Sequence, residues 1–160
     1  MFSFLNGLLA KGLKMSAKTT DQDRNEKLIR RLYSFAEAAS KDTPQFVSMF
    51  ADGGYFYDVG AGKKYYGHDI GATVDIYAAA FPDMHRELDR FYIDDNVVIV
   101  ELSLNGTHSG DLATATGTIA ATGRKIHAPC CDVFHIENGK VASFHCYLAA
   151  TVILTQLGLT

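Results

Sequence analysis

Asp132 lies within the stretch Lys125 to Ala149, KIHAPCCDVFHIENGKVASFHCYLA, where a carboxylate is surrounded by apolar residues. Two runs rich in Ile, Val, Phe, Cys and Tyr flank Glu137-Asn138-Gly139-Lys140. Asn-Gly between such runs signals a tight β-hairpin. The register of that hairpin decides which side chains share a face, because a slip of one residue inverts them all. A two-residue turn at Asn138-Gly139 sets Asp132 opposite His145. A three-residue loop, with Gly139 in the left-handed region as a bulge, sets Asp132 opposite Phe144 and Cys130 opposite Cys146. We favour the second, because Gly adopts a positive φ at little cost. Asp132 then faces Cys130, Phe134, Phe144, Cys146 and Leu148. Burial disfavours the charged form of a carboxyl, so an acid on this wall tends to stay neutral and can donate a hydrogen bond.

Other reactive side chains are weighed against blander roles. Tyr33 lies at the edge of a helical apolar face, where its ring packs while its hydroxyl meets a polar partner. Asp58 precedes the Gly60-Ala61-Gly62 loop. It is either a partly solvated carboxylate at the open end of a strand or a ligand for local amides. Arg86 and Glu101 read either as a structural pair, which we favour, or as pocket groups. Cys146 has no assigned base and reads as small apolar filler. His85, His108, His127, His135 and His145 make no convincing ligand set, and neither a metal nor a cofactor is expected.

The elements that must position these groups follow from periodicity and punctuation. A helix from Thr20 or Asp21 to Ala39 is expected, with Leu28, Ile29, Leu32, Phe35, Ala36 and Ala39 on one face. A second, short helix begins at Pro44, capped by Asp42 or Thr43, and buries Phe46, Val47 and Phe50. Tyr55 to Asp58 reads as a strand and His68 to Ala80 as a third helix, stopped by Phe81-Pro82. Strands are expected at Met84 to Ile93 and Val97 to Asn105. The glycine-rich 106–123 segment is an edge loop or a cover over a pocket. Thr151 to Gly158 is a closing helix or further sheet edge. Helices first and antiparallel strands after them imply an α+β fold, with helices on one face of a curved sheet.

Composition sets the bounds. The chain has 160 residues, which suits one domain. Its net charge of −3 with mixed signs offers no basic footprint, so nucleic acid is not an expected partner. The three cysteines are odd in number and lack metal-ligand spacing, which suggests reduced thiols and a cytoplasmic setting. Residues 1–20 read as an N-terminal extension to a 21–160 domain. Phe2, Phe4, Leu5, Leu8, Leu9 and Leu13 line one side of it, too short a stretch to cross a bilayer. It is either a loosely docked arm or a helix that touches a membrane surface or a partner.

Phe50-Ala51-Asp52, Tyr57-Asp58, Phe81-Pro82-Asp83, Gly106-Thr107-His108 and Asp132-Val133-Phe134 through Gly139-Lys140 occur in order, with Gln156-Leu157-Gly158 at the end. In this pattern the chain resembles the nuclear transport factor 2-like superfamily, in its ketosteroid-isomerase-like and SnoaL-like polyketide cyclase branches. The resemblance implies a cone-shaped, mostly antiparallel sheet whose N-terminal helices close an apolar cavity, commonly in a homodimer. SnoaL-like cyclases usually carry His and Asp at the positions matching Phe144 and Cys146, and neither is present. Ketosteroid isomerases keep a tyrosine on the first helix, an aspartate ending the first strand and an aspartate in the later hairpin. Tyr33, Asp58 and Asp132 match these, with a one-residue offset before the second helix.

Such a trio has a definite chemistry. Moving a proton next to a carbonyl requires a base and a group that stabilises the enolate oxygen. Asp58 would be the base, while neutral Asp132 and Tyr33 donate hydrogen bonds to the oxyanion, the arrangement for which ketosteroid isomerases are the standard example. Tyr57, Phe134, Phe144, Cys146, Cys130 and Arg86 are the candidate substrate-binding residues. The expected function is cofactor-free isomerisation or cyclisation of a small hydrophobic ketone. The alternative is a non-catalytic small-molecule-binding or dimerisation module of the same fold.

Overall fold

The computed structural model describes residues 20–114 and 116–159. Both readings of the 1–20 extension therefore fall outside the described residues, apart from Thr20. Residues 20–34 form helix α1. It buries Ile29, Leu32 and Tyr33, with Ala36 just beyond its end. The helix stops short of the expected Ala39 because its last carbonyls find other partners. The Ser40 hydroxyl donates to Ser34 O at 2.6 Å, and the Asp42 amide donates to Phe35 O at 2.9 Å. A single 3-10 turn, Ala38–Ser40, follows. Helix α2, Thr43–Ser48, is capped by Asp42, whose carboxylate accepts from Gln45 N at 3.0 Å, with Pro44 in its first turn.

The remaining elements in chain order are β1 (Phe50–Asp58), β2 (Lys63–Tyr66), α3 (Ile70–Ala80), β3 (His85–Asp94), β4 (Val97–Thr107), β5 (Leu112–Thr114), β6 (Gly117–Ile119), β7 (Lys125–Glu137), β8 (Lys140–Leu148) and α4 (Ala150–Leu157). Strand β2 was not expected. Its sequence, KKYY, is mostly exposed and carries no apolar alternation. The glycine-rich segment holds the small β5–β6 hairpin, and the C-terminal segment is helical. Six strands form one sheet in the order β2-β1-β8-β7-β4-β3, antiparallel except for the β1–β8 pair. No described helix is long and apolar enough to cross a membrane.

One face of the sheet holds Phe56, Val98, Val100, Leu102, Leu104, Cys130, Phe134 and Phe144, which join the helix residues in a single core. Asn25 of α1 donates to Asp95 O at 2.9 Å and holds the helix against the β3–β4 turn. On the other face, Arg90 is adjacent to Glu101, whose carboxylate accepts from the Tyr92 hydroxyl. Arg86 belongs to the inner face, opposite Leu104. The Arg86–Glu101 pairing is therefore corrected: the pleat sends the two side chains to opposite sides of the sheet.

The expected hairpin register is also corrected. The turn has two residues, with Asn138 at φ 50° and Gly139 at φ 73°, and Glu137 pairs with Lys140. The pairing shifts between Ile136↔Val141 and His135↔Ser143, leaving Ala142 as an extra residue. Beyond this bulge Asp132 lies opposite Cys146, Phe134 opposite Phe144 and Cys130 opposite Leu148. Neither Phe144 nor His145 is the partner of Asp132. The bulge restores the parity that the tight turn removes, so Asp132 still faces the apolar side with Cys130, Phe134, Phe144 and Cys146.

Candidate active site

The sheet registers place Asp58 beside Cys146, Cys146 beside Asp132, and Asp132 beside Val100. Asp58 and Asp132 therefore stand in one row, facing the same side, two strand spacings or roughly 9–10 Å apart. Asp132 is only 2% exposed. The Tyr33 hydroxyl, reaching down from α1, donates to Asp132 Oδ2 at 2.7 Å. The Cys130 thiol donates to Oδ1 at 3.2 Å and lies 3.7 Å from the Cys146 sulfur. Tyr33 is held by an edge-to-face contact with Phe134, centroids 5.8 Å apart, and Phe134 packs on Phe144 at 4.3 Å.

Electrostatics follow from this burial. Desolvation raises the Asp132 carboxyl above its ordinary value, against hydrogen bonds from Tyr33, Cys130 and Cys146 and the charge of Arg86. Burial, reinforced by Asp132, likewise holds the Tyr33 hydroxyl well above its usual range. Tyr33 therefore remains a donor, and the carboxyl it touches is biased toward its neutral form. Asp58 is half-buried, and its Oδ1 accepts from Ala61 N at 3.0 Å. The local-amide role and the inward-facing role thus coexist, because a carboxylate has a second oxygen.

The other candidates divide. Cys130, Phe134, Phe144 and Cys146 surround Asp132 on the inner face. Arg86 is half-buried beneath the end of α1, where its guanidinium donates to Ala36 O at 2.5 Å and lies 3.7 Å from Glu37. It thus braces the helix that carries Tyr33. Tyr57 is a correction: strand alternation turns it to the outer face, where its ring meets His145 at 5.4 Å. Tyr77 of α3 was missed. Burial, then the charges of Cys146 and Asp58, raises its hydroxyl's pKa. The Ile70, Val74, Tyr77 spacing was the signal that it faces inward. Two surface depressions, of about 550 and 710 Å³, open elsewhere and do not include Tyr33, Asp58 or Asp132.

A curved antiparallel sheet covered on one face by helices, with polar groups on its inner wall, defines a protein of the nuclear transport factor 2-like class. Within that class the chain belongs to the SnoaL-like domain family, whose pattern matches residues 29–144. No protein of curated function matches it. Among solved structures it resembles a putative SnoaL-like polyketide cyclase from Jannaschia sp. at 14% identity and TM-score 0.74, covering 88% of this chain and 95% of that one. It also resembles IdmH, a putative polyketide cyclase from Streptomyces antibioticus, at 18% identity and TM-score 0.69, with coverage of 84% and 98%. A hypothetical protein with a ketosteroid isomerase-like fold from Catenulispora acidiphila, solved in complex with trimethylamine, matches at 17% identity and TM-score 0.66, with coverage of 82% and 93%.

Proposed function

We propose that the chain is a cofactor-free isomerase or cyclase that moves protons on a small hydrophobic ketone. The observation that carries this reading is the buried Tyr33–Asp132 hydrogen bond on an apolar wall, with Asp58 in the same row. In this reading the substrate reaches that inner wall. Its carbonyl oxygen lies at the Tyr33–Asp132 pair, and its acidic carbon faces Asp58. Ionised Asp58 takes the α-proton, and the bonding electrons move into the carbonyl to form an enolate. Neutral Asp132 and Tyr33 donate to the enolate oxygen. Protonated Asp58 then returns the proton to another carbon, or the enolate carbon attacks a second carbonyl within the substrate and closes a ring, with the new alkoxide taking the proton from Asp58. The absence of His and Asp at Phe144 and Cys146 favours the isomerase-like arrangement over the carboxylate chemistry usual in the cyclases. The protein acts as a homodimer packed through the outer sheet face, with no nucleic-acid partner.

The test is solvent exchange of α-hydrogens on candidate ketones in deuterated buffer. Asp58→Asn should remove exchange on a responsive ketone by several powers of ten. Tyr33→Phe and Asp132→Asn should each slow it by about 10²–10³-fold, the usual cost of one oxyanion donor. Exchange that survives Asp58→Asn unchanged removes Asp58 as base and leaves the non-catalytic binding module.

A further inference from the structure

Cys130, Asp132 and Cys146 bring three ligand atoms within 4.8 Å of one another. The geometry points to a binding site for one thiophilic divalent cation of the zinc, cobalt and cadmium class, with two sulfurs and one carboxylate oxygen as protein ligands. The two sulfurs are 3.7 Å apart, while two thiolates on a tetrahedral zinc with arms of about 2.3 Å stand about 3.8 Å apart. Asp132 Oδ1 is 3.2 Å from the Cys130 sulfur, a few tenths of an ångström inside the separation that such a centre imposes. The second carboxylate oxygen is already held by the Tyr33 hydroxyl at 2.7 Å. That is the supporting hydrogen bond metal-ligating carboxylates normally carry.

Strand register separates this reading from a disulfide. Cys146 stands opposite Asp132 and Cys130 opposite Leu148, so the cysteines are diagonal rather than facing neighbours. Diagonal positions are about 7–8 Å apart, somewhat less between Cβ atoms, and a disulfide needs Cβ atoms within about 3.5–4.5 Å. The pair is spaced for an ion between the sulfurs. Two thiolates select soft or borderline ions over magnesium or calcium. Binding forms two metal–sulfur bonds and one metal–oxygen bond, and the protons of both thiols and of the neutral Asp132 carboxyl pass to water. No electron is transferred, and a water molecule completes the shell. Occupancy takes Asp132 away from the oxyanion, so the ion would inhibit the proposed reaction. The site itself does not depend on that reaction.

The experiment uses the full chain, reduced, stripped with chelator and titrated anaerobically with Co²⁺. A thiolate-to-cobalt charge-transfer band should saturate at one ion per chain and bleach when Zn²⁺ is added. Cys131→Ser should keep the band and Cys146→Ser should lose it. The chain contains three cysteines, so in Cys131→Ser a two-thiolate band can arise only from Cys130 and Cys146. That variant therefore decides the matter even if Cys146→Ser fails to fold. No charge-transfer band in the wild type, or its loss in Cys131→Ser, overturns the site.

Discussion

Asp132 concentrates the energetic tension of the molecule. Its carboxyl is buried and biased toward the neutral form, so the folded state holds its proton more tightly than the unfolded chain, where an aspartate titrates near about 3.9. The folded state binds more protons between the two values, and stability therefore falls as pH rises through that window. The Asp132 contribution is fully present below the unfolded value and lost above the folded one. Urea unfolding of the chelator-treated protein at a series of pH values should show this decline, and Asp132→Asn should flatten it. Tyr33→Phe leaves the carboxyl without its 2.7 Å partner and should lower stability by about 1–3 kcal/mol, measured by the same unfolding experiment. Asp132 was legible from sequence because a carboxylate among Cys and Phe residues is costly in any register that buries it. Cys130, Asp132 and Cys146 were also placed on one face, but in a register that set the two cysteines opposite each other. Their diagonal placement follows from the bulge at Ala142, which no local spacing encodes.

At the level of elements, the β7–β8 hairpin shows how a turn and a bulge act together. Asn138-Gly139 announced the turn. The bulge at Ala142 had no comparable signature, because its strand carries neither a glycine nor a proline there. Deleting Ala142 removes only the extra residue and should leave Asp132 opposite Cys146 and Phe134 opposite Phe144 in a regular ladder. The expected result is a folded chain that keeps a cooperative unfolding transition, and loss of that transition would show that the bulge itself is required. Gly54 offers a sharper test of the edge where β1 meets β8. A Cβ there would lie 2.7 Å from Val141 O and 2.9 Å from Ala51 O, both backbone atoms. Gly54→Ala should therefore destabilise clearly, whereas Ala at the exposed Gly53 should cost only the strain of its φ of 73°, about 1–2 kcal/mol. Comparing their denaturation midpoints checks the difference. The α+β layering and five of the six strands of the main sheet were readable from the sequence. Strand β2 was not, since its Lys and Tyr residues face solvent and only pairing with β1 makes them a strand.

For the whole molecule, the outer sheet face is where assembly is expected. Tyr147, Tyr66 and Tyr92 are among its exposed large side chains, at 48, 52 and 44%, and patches of this kind mark partner surfaces. Light scattering at micromolar concentration should report a dimer, and a charge at Tyr147, as in Tyr147→Glu, should shift it to monomer. His145 adds a pH dependence. Burial, then His135 and Lys64, depresses its pKa, and its Nε2 lies 3.0 Å from the Tyr55 hydroxyl. A depressed histidine stabilises the fold above its unfolded value of about 6.5 and loses that contribution as pH falls below it. Thermal unfolding should show stability dropping below that pH, less so in His145→Gln.

The parallel β1–β8 pair has a consequence for how the protein is made. Tyr55 and His145 meet across 90 positions, and Tyr33 meets Asp132 across 99. A ribosome delivers α1 and β1 long before either partner exists. Until β8 emerges, one flank of β1 has no strand to pair with, and until β7 emerges, the Tyr33 hydroxyl lacks its carboxyl. The site is thus completed only once β8 has been made. A chain halted before Lys140 carries all three polar groups of the site, Tyr33, Asp58 and Asp132, yet it has no hairpin to hold them.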